Sequence, residues 1–412
     1  MCAPAPGRLP NNEEIEVMKT RDTSAPAPVG RVVGLDLHPE VFSASALSGR
    51  DAATAQVEQS WSGSTGQLES WARGLRPGDL VVVEASGNTF VAVERLRAIG
   101  VAAVVLETQR AGQIRTSYCA NDRLDAVKLA RIYLSGLAHS VWQPDARTRE
   151  RRELLHGYRK AVTTATRTRN RLKSFLSDHH VRLPRGVRLA HQSGAATVQA
   201  SARWTPLQKL LLEELLTELQ AAHARRRRLS SVMAQEVAAD RSLLQLMRLM
   251  GVRHIVAFAI GAVVGDINRF ANPKKLVAYI GLSPSVQDSG ETIRGRGQLV
   301  SFGRRDLRTL LVQSAQNALS QKSSPLHTWG WKLCLRKSTK KIAVIAIARK
   351  LTVSIWYLLR GLFTPLQHID QTLAVKLLKL ATAIGLKALR ALGYSSKTAF
   401  LQETRTLLSN SS

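Results

Sequence analysis

Two apolar runs that carry an acid at their far ends constrain the fold of this chain more than any other feature. Val32–Leu37 contains Asp36, and Leu80–Glu84 ends on Glu84. Short apolar runs of this kind are typical of buried strands. A carboxylate on such a strand is costly unless it is paired or binds a cation. The chain therefore needs a sheet whose edge holds these acids beside a partner or a metal ion.

The elements around these two runs predict a mixed α/β unit that ends near residue 142. Turn-forming residues separate the short apolar runs, and apolar residues at helical spacing follow them. The predicted order is three strands, then helix, strand, helix, strand and helix. The strands are expected at 32–37, 41–47, 53–57, 80–84 and 101–106, and the helices at 66–75, 89–99 and 121–134.

Charge and length narrow the class of protein. The chain has 412 residues, which is enough for two or three domains with their own cores, and its 44% apolar content excludes a wholly disordered chain. Its 59 Lys and Arg against 30 Asp and Glu give a net charge of +29, which indicates a polyanionic partner. The three cysteines lie far apart, so a zinc knuckle or a disulfide framework is not supported and a reduced, cytosolic setting is expected.

Membrane insertion is not expected. The first residues lack the apolar core of a secretory signal. The apolar stretch 342–359 is interrupted by Arg349 and Lys350, which are costly at a bilayer centre. Binding of the basic C-terminal helices to a membrane surface stays open as an alternative.

The rest of the chain is predicted to be mainly helical. Long helices over 147–176 and 204–228 form either an antiparallel hairpin or a dimerising coiled coil. Helices are also expected at 306–319, 340–360 and 373–392, with a loop or short hairpin over 281–302. The leucines at helical spacing in the second long helix are Leu207, Leu210, Leu211, Leu215 and Leu219.

Four acids in the α/β unit form a candidate metal site. Asp36 and Glu84 lie at strand ends, and Asp122 and Asp125 are three residues apart on one helix face. Carboxylate oxygens suit Mg²⁺ or Mn²⁺, and such ions assist phosphoryl transfer. Taken singly, each acid also has an ordinary interpretation, as a strand-end residue, a first-turn helix acid or the partner of a nearby arginine.

The acids and their neighbours resemble the DEDD motifs of insertion-sequence transposases of the IS one-ten family. The matching segments are Gly34-Leu35-Asp36, Val83-Glu84-Ala85-Ser86-Gly87 and Asn121-Asp122-Arg123-Leu124-Asp125-Ala126. The resemblance implies a RuvC-like, RNase H-like N-terminal domain. It also implies that Asp36, Glu84, Asp122 and Asp125 bind metal.

A second set of motifs is similar to the C-terminal domain of the same family. It comprises Asp266–Phe270, Ala278–Pro284, Ser289-Gly290, and Gly303 with Leu307-Arg308. The resemblance implies that Ser289 attacks DNA and forms a composite site with the metal-binding acids of the same or another protomer. A serine hydroxyl needs activation by a base or metal. Asp288 is either that base or a turn residue, and Ser301, Tyr118 and Tyr279 are weaker nucleophile candidates.

Basic residues in the long helices are expected to neutralise phosphates, because few acids are near enough to balance them. Such contacts hold a backbone without reading sequence. The resemblance implies that a structured bridge RNA of the element selects the target by base pairing. The residues expected to contact nucleic acid are Arg147, Arg149, Arg151, Arg152, Lys160, Arg167, Arg169, Arg171, Lys173, Arg225, Arg226, Arg227, Arg228, Arg253 and Arg308.

The prediction as a whole is an α/β plus all-α protein that recombines DNA. It has a disordered tail (1–28), a RuvC-like DEDD domain (29–143), a basic, coiled-coil-like helical linker (144–240), a mainly helical transposase domain (241–362) and a basic helical extension (363–412). Its expected partners are DNA, a bridge RNA, Mg²⁺ or Mn²⁺, and further copies of the chain in a homodimer or homotetramer. The expected location is the bacterial cytoplasm, in association with the nucleoid. The alternatives are a RuvC-like nuclease that hydrolyses branched DNA and a catalytically inactive nucleic-acid-binding protein.

Overall fold

The computed structural model describes residues 30–107, 122–136, 140–284, 287–289, 292–294, 299–362 and 372–409. Contacts between residues divide the chain into two compact units, Met1–Pro144 and Asp145–Ser412. The predicted tail at 1–28, Tyr118 and Asn121 lie outside the described residues.

The first unit is built on a five-stranded sheet. Its strands lie in the order β3-β2-β1-β4-β5. β2 is antiparallel to both of its neighbours, β1 and β3, and β4 and β5 run parallel to β1. This mixed α/β arrangement follows the predicted order of elements and is consistent with an RNase H-like domain. The strands are β1 (Val32–Leu37), β2 (Val41–Ser48), β3 (Gln56–Ser64), β4 (Leu80–Glu84) and β5 (Ala102–Leu106), and the helices are α1 (Leu68–Ala72), α2 (Thr89–Ala98) and α3 (Asp122–Leu134).

Each face of the sheet has its own core. One face, which includes Leu35 and Val83, packs against apolar side chains of α1 and α2. The other face, which includes Val32 and Val82, packs against Leu129 of α3 and its neighbours. Because side chains alternate along a strand, this division fixes which strand residues face α3.

Two elements of this unit differ from prediction. The third strand spans Gln56–Ser64 rather than 53–57, and the helix expected over 66–75 is a 3-10 turn, Thr65–Gln67, followed by the short α1. β3 is an edge strand with mostly exposed side chains, so its sequence lacks the apolar run that marks buried strands.

The Trp71 ring packs against those of Phe42 and Trp61, at centroid distances of 5.0 and 5.8 Å.

The second unit begins with two long antiparallel helices, α4 (Ala146–Asp178) and α6 (Pro206–Ala239), separated by α5 (Gln192–Gln199). Arg151 near the start of α4 pairs with Asp240 after α6, and Arg171 near the end of α4 pairs with Glu218. The hairpin alternative is therefore the one that the chain adopts.

The buried leucine stripe of α6 is displaced from the predicted one. Leu212, Leu216 and Leu219 are buried in the contact with α4. The interpretation of Leu207, Leu210 and Leu211 as core positions is wrong, because all three are more than half exposed. The leucines are so dense at the start of α6 that their spacing alone does not select the buried face.

The remaining helices share one core with the end of α6. His254 begins the apolar α8, whose residues from Ala257 onward are almost all buried. The elements are α7 (Arg241–Leu246), α8 (His254–Val264), α9 (Pro273–Ile280), β6 (Gln287–Ser289), β7 (Thr292–Arg294), α10 (Arg305–Ser320), α11 (Pro325–Lys337), α12 (Lys340–Leu359), α13 (Leu373–Ile384), α14 (Leu386–Ala391) and α15 (Lys397–Ser409).

The C-terminal segment is part of this core. The single helix predicted over 373–392 is wrong, because Gly385 separates α13 from α14. Lys376 is buried, and its ammonium donates to the carbonyl oxygens of Met247 (2.8 Å) and Leu249 (2.7 Å). The predicted linker, transposase domain and extension thus belong to one compact unit, and their separation into functional domains stays a prediction.

One helix among the described residues, Lys340–Leu359, is long and apolar enough to cross a membrane by length and composition. Of its apolar window, 56% is buried inside the protein. Core helices pass the same test, so this single helix is weak evidence for a span.

Candidate active site

Asp36 and Glu84 lie at the same end of two neighbouring parallel strands. The pairing of β1 with β4 runs to Leu35 and Val83, one residue before each acid. Because side chains alternate along a strand, Asp36, four residues after Val32, and Glu84, two residues after Val82, lie on the face that α3 covers. The fold therefore brings two of the four predicted metal ligands to one edge and one face of the sheet.

A close approach at Gly34 sets the position of α3 over this face. A Cβ atom on Gly34 would lie 1.8 Å from the carbonyl oxygen of Ala126 and 3.1 Å from the backbone nitrogen of Ala130. Only glycine leaves room for this contact. Asp36 follows two residues later on the same face of β1, and Asp125 is the neighbour of Ala126 on α3. The glycine of the Gly-Leu-Asp motif is thus a packing requirement.

Hydrogen bonds connect the loops after the two acid-bearing strands. Asn88 Nδ2 donates to the carbonyl oxygen of His38 (3.3 Å), which links the β4–α2 loop to the β1–β2 turn. Thr89 Oγ1 donates to the Glu84 carbonyl oxygen (2.6 Å) and accepts from the backbone N–H of Ser86 (3.1 Å). The Glu-Ala-Ser-Gly motif therefore folds back on its own strand end.

The predicted tetrad is only partly assembled among the described side chains. Asp36 Oδ2 lies 3.5 Å from His38 Nε2, and Asp125 Oδ1 accepts from Lys128 Nζ at 2.9 Å. Asp122 is the first residue of α3, and its side chain lies outside the described part. Within the described residues, no three His, Cys, Asp or Glu side chains form a group that could hold a metal ion. Asp36 and Glu84 nevertheless supply the oxygen donors that hard divalent cations take, on one face of one edge, so the residues present fit such an ion.

Ser289 is the last residue of β6, in a short antiparallel hairpin with β7. It pairs with Thr292, and Asp288 pairs with Ile293. Gly290 and Glu291, which connect the strands, and the side chain of Ser289 lie outside the described residues. The backbone therefore confirms a hairpin within 281–302 and places Ser289 next to its connection.

The base of the segment that carries this hairpin is held by a contact between two glycines. A Cβ on Gly281 would lie 2.4 Å from the Phe302 carbonyl oxygen, and a Cβ on Gly303 would lie 2.7 Å from the Gly281 nitrogen. Both glycines also have positive φ, of 80° and 97°. The glycines of the two motifs thus close residues 282–302 into a loop with a narrow base.

Arg308 fastens the same base. Its Nη1 donates to the carbonyl oxygens of Gly281 (2.9 Å) and Val300 (3.0 Å), one at each end of the segment. Arg349 Nε donates to the carbonyl oxygen of Leu282 at 2.6 Å. Arg308 Nη1 thus donates to carbonyl oxygens of the chain itself and holds the two ends of the segment together. The prediction of Arg308 as a nucleic-acid contact did not include this positioning role.

Tyr279 lies in a charged network beside this base. Arg304 forms a two-pronged ion pair with Asp306 (2.7 and 3.2 Å) and donates to the Tyr279 hydroxyl at 3.4 Å. The Arg269 guanidinium lies 4.4 Å from the centre of the Tyr279 ring. Burial would raise the pKa of Tyr279, but the positive charges of Arg269 and Arg304 outweigh it and lower that pKa. Tyr279 thus lies half-buried in a cationic setting, and its role as a weaker nucleophile candidate stays a prediction.

The predicted nucleic-acid contacts fall into two groups. Arg151 pairs with Glu236 and Asp240, and Arg152 donates to the carbonyl oxygens of Ala262 and Val263 at the end of α8. These arginines hold α4 against its neighbours, which their sequence pattern does not reveal. The exposed members are Arg147, Lys160, Arg167, Arg171, Lys173, Arg225, Arg227, Arg228 and Arg253, and Arg149, Arg169, Arg226 and Arg308 are half-buried.

Two family models match the chain. A transposase model of the DEDD type found in IS110 matches residues 33–181, which include the sheet and the start of the helical pair. The model of the IS116/IS110/IS902 transposase family matches residues 244–328, which include the glycine-held segment. Both models describe transposases, and they match two separate stretches of the chain.

Three relatives agree with this assignment. A putative transposase of Sinorhizobium fredii is 27% identical and covers 58% of this chain and 64% of its own length. A probable family 20 transposase of Pseudomonas aeruginosa is 26% identical, over 79% of this chain and 96% of its own. The transposase for insertion sequence element IS1111A of Coxiella burnetii is 25% identical, over 80% and 89%. The chain belongs to the IS110 family of insertion-sequence transposases, the IS one-ten family that its motifs indicated.

Membership in this family implies an enzyme that cuts and rejoins DNA. The DEDD type of its first region implies dependence on a divalent metal ion.

Proposed function

We propose that this chain recombines the ends of an insertion sequence with target DNA through a covalent bond between Ser289 and DNA. The observation that carries the proposal is the placement of Asp36 and Glu84 on one face, at one edge of the sheet. The hairpin of Ser289, whose base is fixed by Gly281, Gly303 and Arg308, supports it. We further propose that the sheet unit is RNase H-like.

In this proposal Asp36, Glu84, Asp122 and Asp125 hold Mg²⁺ or Mn²⁺. A bound ion of this kind offsets negative charge on phosphate oxygens. The Gly34 contact keeps α3, and with it Asp125, in register with β1. Lys128 is within reach of Asp125 and balances its charge in the structure. To hold the ion, Asp125 would have to give up its contact with Lys128.

The serine step conserves the energy of the phosphodiester bond. The Ser289 oxygen forms a bond to phosphorus while the bond from phosphorus to the departing deoxyribose oxygen breaks. The serine proton passes through a base at the site to the departing oxygen. Attack by a hydroxyl of the other DNA end reverses these changes, frees the serine and leaves rejoined DNA.

The proposed binding partners are inferred from the exposed positive charge of the chain and from its family. Exposed basic residues of α4 and α6, such as Lys160, Arg167 and Arg227, bind the backbones of DNA and of a bridge RNA that selects the target. Exchange of two strand pairs requires a homodimer or homotetramer. The bacterial cytoplasm, in association with the nucleoid, is the proposed place of action.

The Lys128–Asp125 pair favours one alternative, a nucleic-acid-binding protein without catalysis, because it holds one of the four acids in an ion pair. Cleavage assays on DNA that carries the joined element ends, with co-purified RNA, distinguish the two functions. We expect cleavage with Mg²⁺ that falls at least about 1,000-fold in Asp36→Asn and Glu84→Gln. Glu69→Gln is the matched control, because Glu69 is a partly exposed acid on α1, which packs on the sheet face opposite α3. Equal activity with and without metal, or in all three variants, contradicts the metal site.

A further inference from the structure

One face of α4 borders a cavity of about 390 Å³ beside the start of α10. Most of the α4 residues that line it recur at intervals of three and four, so they lie on one side of the helix. Arg304, in the opposite wall, directly follows Gly303, and its backbone N–H donates to the Tyr279 carbonyl oxygen at 3.1 Å. The cavity, which we call the α4 cleft, therefore adjoins the base of the segment that carries Ser289. Its polar lining consists of Arg152, Glu153, His156, Arg159, Arg304 and Asp306.

Positive charge accumulates in and around the α4 cleft. Burial, and then the positive charges of Arg304 and Arg269, lower the pKa of Arg152, so these three guanidinium groups are close enough to repel one another. Arg159, one turn along α4 from His156, adds a fourth guanidinium group to the lining. Like charges held at half-buried positions are costly unless something of opposite charge offsets them.

The carboxylates of the lining offset only part of this charge. Asp306 accepts from Arg304 Nη2 at 2.7 Å and from Arg304 Nε at 3.2 Å, so it neutralises that one arginine. Glu153 is exposed, and water weakens its interaction with the arginines of the cleft. At most two of the four positive charges are therefore balanced by carboxylates.

The C-terminal end of α8 offsets a smaller part. The Val263 carbonyl oxygen accepts from Arg152 Nη2 (3.2 Å), Arg269 Nη2 (3.5 Å) and the Tyr279 hydroxyl (3.4 Å). The end of a helix carries a partial charge of about −0.5, which is less than one of the two positive charges that remain. The α4 cleft thus keeps a net positive charge that a bound anion would neutralise.

Arg159 is the group best placed to hold such an anion. Its side chain is 52% exposed, and its Nη1 lies 3.7 Å from Asp306 Oδ2, which is longer than a hydrogen bond. A planar guanidinium matches two oxygens of one phosphate group. The chain has a net charge of +29 and belongs to a family of transposases, which act on DNA, so a backbone phosphate is the anion that these observations favour.

We propose that the α4 cleft binds one phosphate group of the DNA backbone close to the bond that Ser289 attacks. Arg159 donates to the phosphate oxygens, and Arg152 and Arg304 supply positive charge from the walls. Because Asp306 keeps both hydrogen bonds from Arg304, Arg159 leaves it without exposing an unpaired carboxylate. The position relative to the reacting bond rests on the proposed function of Ser289, whereas the phosphate contact itself does not.

The first test measures binding of the full chain to labelled DNA that carries the joined element ends, by fluorescence anisotropy at several salt concentrations. Ser289→Ala without Mg²⁺ is the parent, so that no covalent product forms. In Arg159→Gln we expect the slope of log affinity against log salt to fall by about 0.9, as for the loss of one phosphate contact. Arg159→Lys should retain the slope, because it retains the charge.

Lys209→Gln is the control, because Lys209 is an exposed cation on α6 away from the cleft. It should leave the slope unchanged, and the urea midpoint of Arg159→Gln should equal that of the parent. Equal slopes in Arg159→Gln and the parent overturn the proposal, and a carboxylate of a protein partner then becomes the better candidate for the anion.

The second test locates the contact on the DNA. Single phosphates are replaced one at a time by neutral methylphosphonates, and binding is measured again. We expect a position within a few nucleotides of the joined ends where replacement weakens binding about tenfold in the parent and less than about twofold in Arg159→Gln, because both changes remove the same contact. Losses that multiply at every position overturn the proposal. A located contact without a Ser289–DNA band counts against the proposed function alone, whereas a band without the contact overturns the cleft alone.

Discussion

The two regions that carry the candidate chemistry are built in different ways. Asp36 and Glu84 lie on neighbouring strands in the middle of a five-stranded sheet, under a helix that touches the backbone of β1 at Gly34. Ser289 lies on a three-residue strand of a hairpin, and this segment is fixed at its base by Gly281, Gly303 and Arg308. The acids are held by core packing, and the serine is held through one narrow base.

This difference matches what the proposed function requires of each group. Metal ligands require fixed mutual geometry, which the register of parallel strands supplies. A nucleophile that joins and then releases DNA has to reach a phosphate on a large substrate, and a hairpin on a firm base allows this. The comparison predicts that damage to the sheet region lowers stability, whereas damage at the hairpin base lowers activity more than stability.

The largest stability effect is expected for Gly34→Ala. The new Cβ would lie 1.8 Å from the Ala126 carbonyl oxygen, so α3 has to move away from β1. We expect a loss of about 3 kcal/mol in the free energy of unfolding, measured by urea denaturation. Gly87→Ala is the control, because a Cβ on Gly87 meets no atom within 4 Å. Equal stability of the two variants would show that the contact at Gly34 does not hold α3.

Gly303→Ala tests the base of the hairpin. Its φ of 97° and the approach to the Gly281 nitrogen both oppose a side chain. We expect a loss of about 2–3 kcal/mol in stability and at least about 100-fold in formation of rejoined DNA. Gly393→Ala isolates the backbone contribution, since Gly393 has a φ of 92° and no neighbour within 4 Å. If both variants lose the same stability and neither loses activity, the glycine contact is not what fixes the hairpin.

Acid is expected to weaken the helical unit before the sheet. Burial, and then Arg253, lower the pKa of His254 to about 4, while its Nε2 lies 3.1 Å from Ser230 Oγ. The unfolded chain therefore takes up this proton as the pH falls below about 6.5, and the folded one only near 4. Stability should fall by about 2 kcal/mol from this residue between pH 7.5 and 5.0.

His254→Gln should remove that part of the pH dependence, as measured by urea unfolding at both pH values. His156→Gln, at an exposed position on α4, should leave it intact. In the sheet unit, Arg31 lowers the pKa of Asp79 against the effect of burial, so the stability from this pair is lost only below the usual carboxyl range. If the pH dependence of stability were unchanged in His254→Gln, it would contradict the expectation that acid weakens the helical unit before the sheet.

The smallest stability effect is expected for Arg308→Lys. Lysine keeps the charge but lacks the planar guanidinium that holds Nη1 within hydrogen-bond distance of both ends of the segment. We expect a loss of about 1 kcal/mol in stability and about tenfold in the rate of rejoining. Arg305→Lys, at an exposed position on the same helix, should change neither. An activity loss that follows stability in proportion would argue against a positioning role.

Much of the sheet region could be predicted from the sequence, because its central strands are apolar runs and its acids interrupt them. The edge strand β3 could not, since Gln56, Glu58 and Gln59 give it a polar sequence. The full metal tetrad also remains a prediction. The register of the strands brings Asp36 and Glu84 together, but it does not determine whether Asp125 pairs with Lys128 or binds a cation.

In the serine region the sequence predicts the motifs and a loop or short hairpin, but not the contact that closes its base. Gly281 and Gly303 were recognised by their place in the family pattern, but their contact depends on residues 22 positions apart that meet only in the fold. Lys376 is a similar case, because a basic residue in a basic extension is not expected to be buried until its partners, Met247 and Leu249, are known. Long-range contacts of this kind leave no periodic signal in a sequence.

The most direct test of the account is a denaturing gel of the full chain with its co-purified RNA, Mg²⁺ and labelled DNA that carries the joined element ends. The account predicts a labelled band that migrates with the protein, absent in Ser289→Ala and Asp36→Asn and present in Ser301→Ala. Mass spectrometry of the band should place the DNA on the peptide that contains Ser289. Cleavage that persists in Ser289→Ala and yields only free DNA ends would contradict the account and identify a nuclease that uses water.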